Sequence, residues 1–375
     1  MNSPSLINVL DLGAEELKNK FKELGFEPYR AGQVLQWVYK KGVYDFSRMT
    51  NLSLDLREKF KKSFLLAMPE VVEREVSEDG NSLKLLLKLE DNHLIETVYI
   101  RSDDRHTVCV SSQAGCKFHC AFCASGQNGF FRNLTASEIV VQVLMARDIS
   151  SSKKITNIVF MGIGEPLDNY GQLMKAIRIL NSKNAFGIGA RKMTISTCGV
   201  IPKIEALSAE GIQIELAVSL HGPNDTVRGA IMPVNNTYPV KSLVEACRQY
   251  IKKTKRVITF EYILVKGVNA SEKEARELSR LLKGISATKR RRISPKRRFV
   301  DGSDTPFGGL CKVNLIPYNP IQEFFHDAPS YDEIVQFQKI LQSNGIKTTV
   351  RFSKGQDIQA ACGQLRSVKL TGNNK

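Results

Sequence analysis

The first part of the chain combines amphipathic helices with short strands. Leu17, Phe21 and Leu24 recur at the spacing of one helix face, and residues 34–38 repeat this pattern. Residues 82–89 and 93–100 are rich in aliphatic and β-branched side chains, and a polar turn separates them. This arrangement is typical of two adjacent strands. We therefore predict an N-terminal accessory domain over residues 1–100 that is partly helical and partly α+β.

From Val108 onward, short apolar runs alternate with amphipathic helices. Six runs predict strands, at residues 108–111, 155–161, 193–197, 214–219, 257–265 and 313–316. The helices between them are predicted at residues 136–147, 172–180, 202–209, 240–252 and 272–282. This alternation predicts an α/β fold, a partial (β/α)6 TIM-like barrel over residues 101–355, followed by a C-terminal segment, 356–375. Because ligands gather at the carboxyl ends of parallel strands, we expect the functional residues there.

The charge of the chain favours an acidic partner. Among its 375 residues, 54 are Lys or Arg and 38 are Asp or Glu, which gives a net charge of +16. Such an excess attracts polyanions, including nucleic acid. A basic insertion at about 284–310 contains seven basic residues and no acidic residue before Val300, and we expect a solvated loop able to touch phosphates. These seven residues are Lys289, Arg290, Arg291, Arg292, Lys296, Arg297 and Arg298.

No apolar run is long enough to span a membrane, and acidic residues interrupt the position of a signal peptide. We therefore expect a cytoplasmic protein with no membrane partner. In a reducing compartment, clustered thiols indicate a metal or catalytic site before they indicate disulfides.

Three of the eight cysteines, Cys116, Cys120 and Cys123, lie within eight residues. Three thiolates on a cubic iron–sulfur cluster leave one iron open for a substrate, whereas a structural zinc site closes with four ligands. His119 could complete a zinc site, although its position inside so short a loop is unfavourable for a fourth ligand. The spacing therefore favours a catalytic iron–sulfur cluster and leaves zinc as the alternative.

The CxxxCxxC spacing, with Phe122 before the last cysteine, resembles the radical S-adenosylmethionine superfamily. Residues 109–113, 161–166, 219–225 and 360–365 further resemble the RlmN family of RNA adenine methyltransferases, and the match runs from about residue 28 to residue 365. The resemblance implies a 4Fe-4S cluster on Cys116, Cys120 and Cys123. Its open iron would hold the amino and carboxylate groups of S-adenosylmethionine, and reduction would split the sulfonium to give a deoxyadenosyl radical.

The resemblance also implies roles outside the cysteine loop. Cys362 would take a methyl group from one S-adenosylmethionine, and the radical from a second would activate that methyl group for addition to adenine. A thiolate suits this task, because adenine C2 and the sulfonium methyl are both electrophilic. Cys109 would then resolve the protein–RNA adduct through a transient disulfide with Cys362. Contacts with S-adenosylmethionine are implied for Gly164, Glu165, Ser196, Ser219, Leu220, His221 and Asn319.

Glu96 matches the family residue that removes a proton from the modified adenine carbon. Its apolar neighbours Leu94, Ile95 and Val98 would permit burial of the carboxylate. Burial raises the pKa of a carboxyl group, which suits a general base that works near neutral pH.

The implied reaction is methylation at C2 of an adenosine near the peptidyl-transferase centre of 23S rRNA. The adenosine 3′ of the anticodon in some tRNAs is a second implied substrate. The nearest alternative is the Cfr-type relative that methylates C8, and Glu165-Pro166 favours C2. A noncatalytic zinc-bearing RNA-binding module is the alternative from another class. We also expect an electron donor such as flavodoxin or ferredoxin, an N-terminal unit that docks RNA, and a monomer.

Overall fold

The computed structural model describes residues 6–150, 152–286 and 310–369. These residues form two compact units. The first contains the described residues up to Lys117, Ser125–Ile195 and the described residues from Lys354 onward. The second contains Phe118–Ala124 and the described residues of Ser196–Ser353. The seven basic residues of the predicted insertion lie outside the described residues, and the domain boundaries at residues 100 and 355 remain predictions.

The first unit begins with a helical part. Its elements are β1 (Ile7–Asn8), α1 (Ala14–Glu23), α2 (Arg30–Lys41), α3 (Leu54–Ser63) and β2 (Phe64–Leu65), and β1 pairs with β2 in parallel. Aromatic packing holds this part together, because the ring of Phe21 lies 4.8 Å from that of Phe60 and 5.1 Å from that of Phe64, centroid to centroid.

One expectation for this helical part is wrong. Leu17 and Phe21 are fully buried on α1 as their spacing predicts, but Leu24 is exposed. The helix ends at Glu23, and Gly25 takes a left-handed φ of 75° that turns the chain. Phe26 then packs its ring 5.8 Å from that of Phe21.

A mixed sheet forms the rest of the first unit. Its strands and helices are β3 (Glu70–Val76), β4 (Ser82–Lys88), β5 (His93–Ser102), β6 (Arg105–Cys109), β7 (Gln113–Gly115), β8 (Phe130–Asn133), α4 (Ala136–Ile149), β9 (Asn157–Phe160), α5 (Tyr170–Asn181) and β10 (Met193–Thr197). The order is β10-β9-β6-β5-β4-β3, in which β6, β9 and β10 run parallel and β3 to β6 antiparallel. Strands β7 and β8 form a separate antiparallel pair.

The second unit is a parallel sheet with helices between its strands. It contains α6 (Ile201–Leu207), β11 (Glu215–Ser219), α7 (Asp225–Ile231), α8 (Val240–Thr254), β12 (Ile258–Leu264), α9 (Glu272–Ser286), β13 (Cys311–Pro317), α10 (Tyr331–Ser343) and β14 (Thr348–Val350). The order is β11-β12-β13-β14, and β11 to β14 run parallel. Phe260, Tyr262 and Leu315 are fully buried within it.

The C-terminal segment returns to the first unit and is fixed there by hydrogen bonds. Strand β15 (Val368–Lys369) pairs with β5 in antiparallel register. The Ser367 hydroxyl donates to the Leu94 carbonyl (2.7 Å), and the Ser125 hydroxyl donates to the Leu365 carbonyl (2.7 Å). Short 3-10 helices lie at Val9–Asp11, Phe46–Arg48, Ala124–Gly126, Ala190–Lys192 and Pro233–Asn236.

The α/β class and the six predicted strands are confirmed, since β6 and β9 to β13 overlap the predicted runs. Each of the five predicted barrel helices is also present, with bounds that differ by a few residues. Strands β3 and β14 were not predicted, and neither were β1, β2, β7, β8, β15, α7 and α10. Strand β3 is largely exposed and rich in glutamate, and β14 spans three residues, so neither of these two carries an apolar run. Within the described ranges, no helix combines the length and the apolar character needed to cross a bilayer.

Candidate active site

The three clustered cysteines lie on a loop of residues 116–123, the cysteine loop, which follows β7. The Cys116 amide donates to the Gly129 carbonyl (2.9 Å), and the Cys123 amide donates to the Cys120 carbonyl (3.1 Å). His119 adopts a left-handed φ of 48°, which bends the loop between the first two cysteines. All three cysteines are partly exposed, so backbone bonds shape the loop while the thiols stay accessible.

The donor set of this loop fits an open iron–sulfur cluster. The described residues hold no group of three or more His, Cys, Asp or Glu side chains gathered in metal-binding geometry. The fit therefore rests on donor chemistry: three accessible thiols on one short loop supply the ligands that an iron–sulfur cluster prefers.

His221 follows the end of β11 and is held as a neutral hydrogen-bond donor. Its Nδ1 accepts from the Ile263 amide (3.0 Å), so the proton of the neutral ring lies on Nε2. Its carbonyl accepts from the Asn269 amide group (2.8 Å). Burial, together with the charge of Arg228, lowers the pKa of His221 to about 3. His221 therefore presents a fixed N–H donor across the physiological range of pH.

The cysteine loop contacts this histidine inside the second unit. The Phe122 ring meets the His221 ring edge to face, with centroids 4.8 Å apart and planes at 87°. The Ala121 amide donates to the Ile231 carbonyl at the end of α7 (2.9 Å). These two contacts bring the loop to the strand end that carries Ser219, Leu220 and His221.

The other residues of this unit that are predicted to contact S-adenosylmethionine also lie at strand ends. Ser219 is the last residue of β11, and Asn319 follows β13, so the parallel sheet places both at its carboxyl edge. Asn319 is buried, and its amide donates to the Ser353 hydroxyl (2.9 Å). Ser196, near the end of β10, is partly exposed, and Leu220 is fully buried.

In the first unit, Gly164 and Glu165 form a tight turn after β9. Gly164 has a φ of 96°, and an added Cβ would lie 2.5 Å from the Cβ of Gln113, so a side chain has no room there. The Glu165 amide donates to Gln113 Oε1 (2.8 Å). Glu165 Oε1 accepts from the Leu167 amide (3.0 Å), which fixes a buried carboxylate in this turn.

Cys109 and the segment around Cys362 pack together in the first unit. Cys109 ends β6 and is buried in an apolar cluster with Val98, Ile163, Ala360 and Leu365. Since the last two residues flank Cys362, the structure places the Cys362 segment against the strand end that carries Cys109. Cys362 itself is partly exposed, and Gly363 turns the chain beside it with a φ of 87°.

Glu96 belongs to the same region. It is buried on β5, and its Oε2 accepts from the Arg366 amide (2.7 Å) while Lys84 Nζ lies 3.5 Å from its Oε1. Burial raises the pKa of Glu96, and the Arg366 amide and the Lys84 charge oppose that rise. Glu96 is therefore buried with a raised pKa, as the apolar residues beside it in the sequence predicted.

Comparison with known proteins decides the family. Residues 7–66 match the ribosomal RNA large subunit methyltransferase N-terminal domain, and residues 110–279 match the radical SAM superfamily. The "Probable dual-specificity RNA methyltransferase RlmN" of Clostridium tetani is 44% identical over 99% of this chain and 99% of its own length. The protein of the same name from Thermoanaerobacter sp. is 43% identical over 96% of this chain and 98% of its own. The chain belongs to the RlmN family.

A crystal structure of a radical SAM methyltransferase from Sphaerobacter thermophilus is similar to the whole fold. Its TM-score is 0.87 at 41% identity, and the match covers 96% of this chain and 99% of that one. The predicted partial barrel with an N-terminal accessory part is thereby confirmed. As an RlmN family member, the chain is a methyltransferase that uses a 4Fe-4S cluster and S-adenosylmethionine.

Membership of the RlmN family also decides between the alternatives. The Cfr-type alternative is not favoured, since the relatives named above are RlmN proteins. The noncatalytic zinc-bearing module does not agree with membership of an enzyme family. The roles of individual residues, by contrast, remain predictions.

Two residues that support the site were not assigned a role from the sequence. Gln113 lies in a motif of the RlmN family, and it holds the Glu165 turn while its amide donates to Asn133 and Asp168 (2.8 Å each). Arg228 is a fully buried arginine on α7. The motif was a signal for Gln113, whereas nothing in the helical pattern distinguishes Arg228 from a solvent-exposed arginine.

Replacing Lys84 with methionine should move the acid limb of the pH–rate profile to higher pH. The Lys84 charge lowers the pKa of Glu96, so its removal raises that pKa further. A base works only when deprotonated, and activity would therefore be lost at a higher pH as the solution is acidified. The measurement is single-turnover methylation between pH 5 and pH 9, with Lys84→Arg as the charge-preserving control. An unchanged profile in Lys84→Met would contradict the role of Glu96 as the base.

Proposed function

We propose that the chain methylates C2 of an adenosine near the peptidyl-transferase centre of 23S rRNA and of the adenosine 3′ of the anticodon in some tRNAs. The observation that carries this proposal is the convergence of Cys109, the Cys362 segment and the buried Glu96 carboxylate within one unit. The names of the relatives, which are dual-specificity RNA methyltransferases, support an RNA substrate of more than one class.

The chain's own sulfur atoms would carry the methyl group and release the product. The cluster and two molecules of S-adenosylmethionine supply the methyl group and the radical when they are bound. Cys362 holds the methyl carbon and stays linked to the RNA through it. Glu96 accepts the proton from the modified adenine carbon. The Cys109 thiolate then attacks the Cys362 sulfur, the carbon–sulfur bond breaks with its electron pair passing to the carbon, and that carbon takes up a proton to become the product methyl group. The resulting disulfide must be reduced by a thiol reductant before the next turnover. The apolar packing around Cys109 keeps water away from these steps.

Polar groups at the strand ends would hold S-adenosylmethionine. Glu165 offers a buried carboxylate oxygen as an acceptor for the ammonium group, and His221 offers its Nε2 proton. Ser196, Ser219 and Asn319 add hydroxyl and amide groups at the same ends of their strands. Gly164, which has no side chain, would leave room for the ligand, and Leu220 would line the site with an apolar surface.

The partners follow from this chemistry. Reduction of the cluster requires an electron donor such as flavodoxin or ferredoxin. The proposal also includes a monomeric protein that acts in the cytoplasm. Residues 1–100 would form the accessory domain that docks RNA. Exposed lysines on its helices supply the charge for contacts with phosphates, and they are Lys40, Lys41, Lys59, Lys61 and Lys62.

Nucleoside analysis of RNA tests the proposal. Ribosomal RNA and tRNA from a deletion strain should lack 2-methyladenosine, and complementation with this chain should restore it in both. The Cys362→Ala variant is the matched control and should restore neither. If complementation yields 8-methyladenosine without 2-methyladenosine, the proposed position of methylation is wrong. Restoration in ribosomal RNA alone would remove tRNA from the substrates.

A further inference from the structure

Arg228, on α7, is an arginine with no solvent exposure. Its Nε donates to the Leu220 carbonyl (3.0 Å), and its Nη2 donates to the carbonyls of Cys198 (2.6 Å) and Ser219 (3.4 Å). Its Nη1 donates to Asn235 Oδ1 (3.0 Å) and to the Tyr238 carbonyl (3.3 Å). Burial of a charge is costly unless hydrogen bonds replace its water. Around Arg228, backbone carbonyls and one side-chain amide oxygen take the place of this water.

The acceptors of Arg228 lie on the segments predicted to bind S-adenosylmethionine. Cys198 follows Ser196 by two residues, and Ser219 and Leu220 are themselves two of the predicted contacts. One guanidinium group therefore fixes both the loop that contains Cys198 and the segment that contains Ser219 and Leu220. Its planar fork is suited to this task, because it presents five N–H donors in fixed directions.

The packing around Arg228 leaves little freedom for these loops. An added Cβ on Gly222 would lie 2.6 Å from the backbone nitrogen of Arg228. An added Cβ on Gly199 would lie 3.4 Å from Arg228 Nη2. At Gly222 the backbone approaches Arg228 so closely that a side chain has no room, whereas at Gly199 the left-handed φ of 108° is what favours glycine.

The same helix holds the cysteine loop. The Ile231 carbonyl, at the end of α7, accepts from the amide of Ala121, which lies between Cys120 and Cys123. Burial lowers the pKa of Arg228, and the electrostatic interactions that oppose this change include those with Cys198, Cys120 and the Asp225 carboxylate. An arginine remains charged in proteins, so α7 places a buried positive charge in the field of a cluster ligand.

We propose that Arg228 is a positioning residue that fixes the strand ends binding S-adenosylmethionine relative to the cysteine loop, and that its charge raises the reduction potential of the cluster. The reduced cluster carries one more negative charge than the oxidised cluster, so a nearby cation stabilises the reduced form. The inference rests on the proposed cofactor contacts of Ser196, Ser219 and His221.

Two substitutions of Arg228 distinguish the effect of its hydrogen bonds from the effect of its charge. Arg228→Lys keeps the positive charge, but an ammonium group cannot reach the five acceptors. Arg228→Gln removes the charge as well. Arg276→Gln is the matched control, because Arg276 is an exposed arginine on α9 in the same unit.

The full chain, reconstituted with iron and sulfide under anaerobic conditions, is used without RNA. The dissociation constant of S-adenosylmethionine is measured by calorimetry and the midpoint potential by electron paramagnetic resonance. Both Arg228 variants should bind S-adenosylmethionine about 10- to 100-fold more weakly, as is typical when a group that orients ligands is lost. The potential should become more negative in Arg228→Gln and stay near the wild-type value in Arg228→Lys. Arg276→Gln should change neither quantity.

Wild-type affinity in both Arg228 variants would overturn the positioning role, and an unchanged potential in Arg228→Gln would overturn the role of the charge. If these variants fail to fold, Asn235→Ser tests the positioning role with the arginine in place. It removes one acceptor and should weaken binding about 2- to 10-fold, whereas wild-type affinity would overturn the inference. A wild-type chain that binds neither iron nor S-adenosylmethionine would instead refute the proposed function.

Discussion

RNA should remain covalently attached to the Cys109→Ala protein. With the resolving thiol removed, the bond between the Cys362 sulfur and the modified adenine has no partner to break it, so turnover stops at the adduct. Cys109 is buried among apolar residues beside the Cys362 segment, and water is a poor substitute there. Denaturing electrophoresis detects the adduct, and mass spectrometry of nuclease-treated peptides locates the link at Cys362.

The control for this experiment is Cys247→Ala. Cys247 is fully buried on α8, and burial raises the pKa of its thiol to about 12, so it is a small apolar side chain and not a nucleophile. This variant should turn over without accumulating an adduct. The double variant Cys109→Ala, Cys362→Ala should also give none, because the carrier is missing. An adduct in the double variant, or free product from Cys109→Ala at the wild-type rate, would refute the assigned roles.

The secondary structure was predictable because its signals are local. Apolar runs and helical spacing gave six parallel strands and the helices between them within a few residues of their observed ends. The burial of Glu96 was predictable for the same reason, since its own strand neighbours are apolar. Leu24 was placed wrongly because Gly25 ends the helix, and spacing alone does not show where a helix stops.

The residues that hold the site in place could not be predicted, because their role depends on contacts between segments that are distant in the sequence. Gln113 reaches Glu165 across 52 positions, and Arg228 reaches Cys198 across 30. Most acceptors of Arg228 are backbone carbonyls, which every residue has, so no residue type marks them in a sequence. The resemblance named the residues predicted to touch the cofactor, and the structure was needed to find what holds those residues in place.

Cys120→Ala should abolish iron binding and the release of 5′-deoxyadenosine. Thiolates are the ligands of iron–sulfur clusters, and with two of the three left, a second iron would lose its protein ligand in addition to the iron that is left open for the substrate. Loss of a direct ligand should exceed the roughly 10- to 100-fold effect of removing a second-sphere partner. We therefore expect 5′-deoxyadenosine release to fall more than about 100-fold.

The fold should survive this substitution. The Cys123 amide donates to the backbone carbonyl of residue 120, which alanine keeps. Cys120 is partly exposed, so removal of its thiol leaves no closed cavity.

The control is Cys311→Ala, which makes the same chemical change at a buried position on β13, where burial raises the pKa of the thiol to about 12. That control should lose stability but keep its iron. Iron and sulfide contents, the absorbance of the cluster and chromatographic assay of 5′-deoxyadenosine provide the comparison. Full iron content with normal 5′-deoxyadenosine release in Cys120→Ala would show that the cluster has other ligands.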